Sequence, residues 1–203
     1  MADAGYAPEP VAPNISGIVH RLAVAGDHLY AAGQDGLFIT LSEGRGWQRY
    51  ADTPETAFLG VATCPQWGRC HALMASGYEG VLGAPDDNLM PWRWLGGLRR
   101  LATQAVAASP AYAADGTLFA ATEQGLFRST DRGASWRLVA PGDHPENDAI
   151  FSQVRVSASY VVDGAVFAAY EDRATGRRTL LISTDRGATW SAVTTPFTPG
   201  MAM

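Results

Sequence analysis

The side chains best suited to chemistry are carboxylates and arginines in turn-like segments. Gln34-Asp35, Tyr78-Glu79, Glu123-Gln124 and Glu171-Asp172 each place at least one carboxylate between two apolar runs, and EDRATGRRT over 171–179 adds Arg173, Arg177 and Arg178. A second polar stretch, PGDHPENDA over 141–149, carries His144, Glu146 and Asp148. Two carboxylates flanking a substrate can hydrolyse a glycoside, and a ring of carboxylates can attract a cationic partner or a hydrated divalent ion. Asp and Glu also suit tight turns for purely conformational reasons. The other chemical signatures are missing: there is no phosphate-binding glycine loop, no His-Glu-x-x-His and no Gly-x-Ser-x-Gly. The four histidines, His20, His28, His71 and His144, show no ligand spacing.

What positions these groups is a repeat. STDRGASW at 129–136 returns as STDRGATW at 183–190, and its two tryptophans, Trp136 and Trp190, are 190 − 136 = 54 residues apart. That spacing is near the length of one four-stranded propeller blade. The flanks repeat too, with six extra residues before the second signature. Two weaker copies lie upstream. One keeps Thr40, Gly44 and Trp47 but has Ser42 in place of the aspartate; the other keeps Asp86, with Asn88 for the glycine and Trp92 one residue late. The chain therefore divides into units at about 17–52, 57–97, 101–140 and 150–195, with tails over 1–16 and 196–203.

Each unit reads as four strands, A to D. In the third unit they fall at about 103–109, 117–123, 125–130 and 135–140. Asp35-Gly36, Asp115-Gly116 and Asp163-Gly164 are short-range hairpin signals, and no stretch keeps a 3.6-residue apolar period. The reading is all-β, a meander repeated four times.

Within the signature, Asp131 and Asp185 can accept hydrogen bonds from turn amides, and Gly133 and Gly187 can supply positive φ. Ser129 and Ser183 add side-chain bonds, and Trp136 and Trp190 leave the turn as apolar anchors. The pattern Ser/Thr-x-Asp-x-Gly-x-x-Trp/Phe is similar to the Asp-box, or BNR, repeat of sialidases, sortilin-type receptors and the photosystem II assembly-factor family. The resemblance implies a β-propeller of four Asp-box blades, each a four-stranded antiparallel meander. It does not imply one activity, because these families do unrelated work on a shared architecture. Sialidases themselves use six blades, an arginine triad and a Tyr/Glu pair; here there are four units, no Arg-Ile-Pro motif and no such pairing.

Propeller topology sorts the candidates by face. A–B and C–D turns emerge on one face, so the signature aspartates are expected to be structural. B–C turns and D–A connections emerge on the other, which gathers Asp35, Glu79, Glu123, Glu171, Asp172, Arg173, Arg177, Arg178 and His144 as candidate binding residues. Trp67, Trp92 and Trp94 offer an aromatic sugar platform or, alternatively, packing for the second unit. Four blades can close as a disc, or form an open half that pairs with a second copy and covers its edges.

Composition narrows the partners. The chain has 203 residues, is 47% hydrophobic, carries a net charge of −5 and contains no lysine, which argues against nucleic acid as main partner. The N-terminal MADAGYAPEPVAPN lacks the features of a secretory signal, and no run reaches the roughly 18 apolar residues that span a bilayer; a cytoplasmic location is expected. Cys64 and Cys70 can close a cross-strand disulfide in an oxidising compartment and stay reduced in the cytosol. With His71 they lack the fourth ligand of a structural zinc site, so no metal or cofactor is expected. The functional expectation is a non-catalytic protein-binding or scaffold module, a subunit of a larger bacterial assembly or a homo-oligomer, acting through the D–A and B–C loop face. The alternative is a carbohydrate-binding or glycan-processing propeller.

Overall fold

The computed structural model describes residues 15, 17–40, 46–50, 53–64, 72–84, 92–140 and 149–193. They form four antiparallel sheets, each of four strands in simple sequence order. Blade one holds β1 (Val19–Ala25), β2 (His28–Gly33), β3 (Gly36–Thr40) and β4 (Gln48–Arg49); blade two holds β5 (Phe58–Thr63), β6 (Leu73–Gly77), β7 (Gly80–Ala84) and β8 (Arg93–Trp94). Blade three holds β9 (Thr103–Ala108), β10 (Leu118–Thr122), β11 (Gly125–Ser129) and β12 (Arg137–Ala140). Blade four holds β13 (Ala149–Val156), β14 (Val166–Asp172), β15 (Arg178–Ser183) and β16 (Ser191–Ala192).

In the inner blades, β6, β7 and β10 are covered on both sides by neighbouring sheets. Every residue of β6, β7 and β10 is buried. Their alanines and glycines let the sheets approach, while Met74, Leu118 and Phe119 fill the space between them. Three cores result. Tyr30, Leu37 and Phe58 meet between blades one and two, Met74, Leu98, Tyr112 and Leu118 between two and three, and Phe119, Phe151, Val154 and Tyr160 between three and four. Each large side chain fully buried there contributes roughly 1.5–3 kcal/mol.

The first strand of each of blades two to four packs on the first two strands of the blade before it: β5 on β1 and β2, β9 on β5 and β6, β13 on β9 and β10. Among the described residues, no comparable packing joins β13 and β14 to β1. A hydrogen bond from Arg21 Nη2 to Gln153 Oε1, 2.7 Å long, crosses between those blades. Ile18, Val19, Leu22 and Val24 beside or on β1 stay exposed, as does Phe167 on β14.

The A–B connections of blades three and four depart from the all-β meander. Each contains one helical turn, α1 (Tyr112–Asp115) and α2 (Tyr160–Asp163), closed by Gly116 at φ 58° and Gly164 at φ 61°. Asp115-Gly116 and Asp163-Gly164 are therefore helix ends, and only the glycine of each pair has positive φ. Asp35-Gly36 does close a hairpin, with Gly33 opposite Gly36. The turns persist because Tyr112 and Tyr160 are buried anchors for them. Ser109 Oγ donates to Asp115 Oδ2 at 2.7 Å and Ser157 Oγ donates to Asp163 Oδ2 at 2.7 Å, tying each helical turn across its base.

Candidate functional site

The signature builds the same turn in both strong copies. Ser129 Oγ donates to Asp131 Oδ1 at 2.7 Å and accepts from the Gly133 amide at 2.8 Å; Ser183 Oγ does the same with Asp185 Oδ1 and the Gly187 amide, each at 2.8 Å. The Ser135 amide and hydroxyl donate to Asp131 at 2.9 and 2.5 Å, and those of Thr189 donate to Asp185 at 2.8 and 2.6 Å. The fourth residue after the aspartate is thus a partner that the pattern of defined positions leaves unmarked. The Ser135 hydroxyl and amide, then the Ser129 hydroxyl, hold the Asp131 carboxyl down at about 2, and the corresponding Thr189 and Ser183 groups hold Asp185 at about 2. Such carboxylates are poor proton shuttles near neutral pH, where a useful acid or base titrates.

Gly133 and Gly187 have φ of 83° and 85°. Each glycine lies against the preceding blade: a Cβ on Gly133 would sit 2.5 Å from Leu95 Cδ1, and one on Gly187 would sit 2.9 Å from Phe119 Cε1. Trp136 packs on the core between blades two and three, and Trp190 on the core between three and four. Arginine has a role here that sequence reasoning missed. Arg132 and Arg186 adopt φ of 60° and 63°; their amides donate to Gly116 and Gly164 oxygens at 3.0 and 2.9 Å, and their guanidinium groups reach Ala113 O at 2.9 Å and Val161 O at 3.2 Å. The C–D turn is therefore bonded to the A–B helical turn, which puts both on one face. Of the weaker copies, Thr40 is buried and Trp47 half-buried, whereas Ser42, Gly44 and Asp86 lie outside the described residues.

The opposite face is assembled by bonds between B–C turns and the connections that enter each blade. The Gln34 amide donates to Ile18 O at 3.0 Å, the Arg100 amide to Glu79 O at 2.9 Å, and the Glu123 amide to Ala102 O at 3.1 Å. Asp35 and Glu79 are exposed there, and Glu123, Glu171 and Asp172 are half-exposed. The carboxylates do not converge into a cation site; among the described residues no three His, Cys, Asp or Glu side chains gather to hold a metal ion. Arginines meet two of them instead. Arg173 Nη2 lies 3.7 Å from Glu123 Oε2 and spans from blade four to blade three, and Arg178 Nε lies 2.8 Å from Glu171 Oε2. Arg177 is exposed beside them.

The blade-four insertion is folded on itself. The Gly176 amide donates to Asp172 O at 2.7 Å, the Thr175 amide to Asp172 Oδ1 at 2.9 Å, and the Asp172 amide to Arg177 O at 2.9 Å. His144 and the rest of 141–148 lie outside the described residues, as do Trp67, Cys70 and His71. Cys64 is buried and disulfide-bonded. Trp92 and Trp94 are half-buried on the core between blades one and two, with Trp92 edge-on to Tyr50 at 5.3 Å, so they serve packing. No helix among the described residues is long and apolar enough to cross a membrane.

No family model and no curated protein matches the chain. Solved structures do. An ancestral GH74 enzyme aligns at 15% identity and TM-score 0.66 over 90% of this chain and 26% of its own, and the extracellular domain of BT4673 from B. thetaiotaomicron at 10% and 0.65 over 91% and 23%. The Neurospora crassa Pan2 WD40 domain aligns at 8% and 0.54 over 85% of this chain and 50% of its own. The chain spans about a quarter of the length of the first two. At such identities the likeness is one of fold, and with the four four-stranded meanders it makes this chain a β-propeller fold.

Proposed function

We propose that this chain is a non-catalytic protein-binding or scaffold module, a subunit of a larger assembly, that meets its partner on the face formed by the B–C turns and inter-blade connections. The observation that carries this reading is the insertion over 171–179. It is held by its own backbone bonds, is tied to the neighbouring blade through Arg173 and Glu123, and presents exposed Arg177 at the rim. A loop already ordered before binding loses less entropy on association, and long loops on rigid scaffolds are where recognition concentrates. The signature turns support the same division of labour, since their aspartates are engaged within the turn. They also support reading the repeat as an Asp-box.

The test is co-purification from the source cell with the wild-type chain and with Glu123→Gln, Glu171→Gln and Arg177→Gln combined. The triple variant is expected to lose the captured partner with its melting temperature nearly unchanged. Capture that survives the triple change would overturn the rim assignment. Native mass measurement reports whether a second copy is that partner. The glycan-processing alternative draws on the shared fold with a GH74 enzyme; retention on a glycan array without any protein partner would favour it.

A further inference from the structure

A cleft of about 350 Å³ opens between blades three and four on the outer part of the sheets, lined by Arg128, Thr130, Arg137, Leu138, Val139, Gly187 and Ala188. Arg128 and Arg137 are register partners on β11 and β12. Like charges directly opposite on a sheet repel. Among the described residues neither arginine has a carboxylate partner: the ion pairs involve Arg49, Arg173 and Arg178. The nearby signature carboxylates Asp131 and Asp185 are taken up by hydroxyls and amides. Arg128 Nε is buried with no hydrogen-bond acceptor, and its guanidinium carbon lies 6.0 Å from the centre of the Phe119 ring.

The repeat shows that the fold does not require this pair. The same register position, one residue before the signature serine or its counterpart, is Ile39 opposite Gln48 in blade one, Gly83 opposite Arg93 in blade two and Ile182 opposite Ser191 in blade four. Blade three alone places two guanidinium groups there. An anion between them would remove the repulsion and supply the acceptor that Arg128 Nε lacks. Arginine forks are shaped to bind carboxylate and phosphate oxygens.

We propose that this cleft binds an oxyanion-bearing ligand, with Arg128 and Arg137 clamping its carboxylate or phosphate group and Val139 and Ala188 contacting its apolar part. The volume exceeds that of a lone oxyanion, so the ligand is a small organic acid or phosphate ester, or the acidic side chains of a bound segment. The site lies beside the signature turn of blade four and does not depend on the loop-face reading.

The test is calorimetric titration of the wild-type chain with succinate, inorganic phosphate and a tri-glutamate peptide at low salt. Arg128→Ile and Arg137→Ser, which install the residues that blade four already carries, are titrated alongside. At least one probe is expected to bind the wild type, and each variant to weaken it at least 10-fold; the preferred probe identifies the source of the oxyanion. No binding of any probe by the wild type, or unchanged binding in both variants, would overturn the proposal. Because Arg137 is exposed, its variant keeps the test decisive even if Arg128→Ile folds poorly.

Discussion

Gly133→Ala tests whether the signature turn is a contact between blades as well as a local turn. Two costs should combine. A side chain in the left-handed region costs about 1–2 kcal/mol. The new Cβ would also lie 2.5 Å from Leu95 Cδ1 and 3.1 Å from both Cβ and Cγ of that leucine, and overpacking of this kind costs about 1–3 kcal/mol. The expected loss is the sum, about 2–5 kcal/mol, which at about 2–4 °C per kcal/mol for a domain of this size is a readily measured fall in melting temperature. Gly176 supplies the control: its φ is 67°, yet a Cβ there would meet nothing within 4 Å, so Gly176→Ala should cost only the backbone share, about 1–2 kcal/mol. Thermal unfolding of both variants, followed by circular dichroism, separates the two costs. A second step places the clash. Leu95→Ala alone should cost about 2–5 kcal/mol, but combined with Gly133→Ala the losses should fall short of additivity by about 1–3 kcal/mol, because Cδ1, the atom nearest the new Cβ, and Cγ are gone. Equal losses at Gly133 and Gly176, or strict additivity with Leu95→Ala, would refute the view that this turn packs on the preceding blade.

Acid unfolding checks the signature aspartates. Their folded values of about 2 lie below the ordinary 3.8, so their stabilisation is complete above about pH 4 and is lost as pH falls through about 2. Asp131→Asn and Asp185→Asn should each flatten the fall in stability across that window, and an unchanged slope in denaturant titrations would count against the hydrogen-bond assignment. At the opposite face, buried Thr122 Oγ1 donates to Gly125 O at 2.8 Å and accepts from the Gln124 amide at 3.1 Å. Thr122→Val should therefore cost about 1–3 kcal/mol in chemical denaturation, and a loss near zero would show that the B–C hairpin of blade three holds without its side-chain bonds.

The blades were legible in the sequence because the information that makes them is local. Ser129, Asp131, Gly133 and Ser135 bond to one another inside a few residues, and Ser183 to Thr189 repeat the arrangement. A residue pattern this short carries its own geometry. The helical turns were not legible, since four residues are too few to show a period. What selects them is distributed: a buried tyrosine, a serine bonded to an aspartate six residues on, and an arginine from the C–D turn. The rim was legible only as a set of positions. That Arg173 would meet Glu123 across two blades, and that the carboxylates would be drawn to arginines instead of to one another, depends on how adjacent sheets are offset, which no local pattern encodes.

A protein built from copies of one unit offers an internal reference for telling scaffold from site. Residues that recur in the same place have their roles inside the unit or against the neighbouring blade: the signature serine and aspartate bond within the turn, and the glycine and tryptophan pack on the preceding blade. An aspartate whose carboxyl titrates at about 2 and accepts from two hydroxyls and an amide has little left to offer a ligand. Residues that break the pattern carry the opposite information. Blade four alone lengthens its B–C connection, and blade three alone sets Arg128 against Arg137 where the others pair isoleucine, glycine or other partners without a second facing charge. Both departures run against the simplest way to fold a blade: one lengthens a loop that could be a tight hairpin, the other opposes like charges. Features that cost stability and that the repeat does without are the places where binding should be sought, one at the B–C rim and one in the cleft between blades three and four.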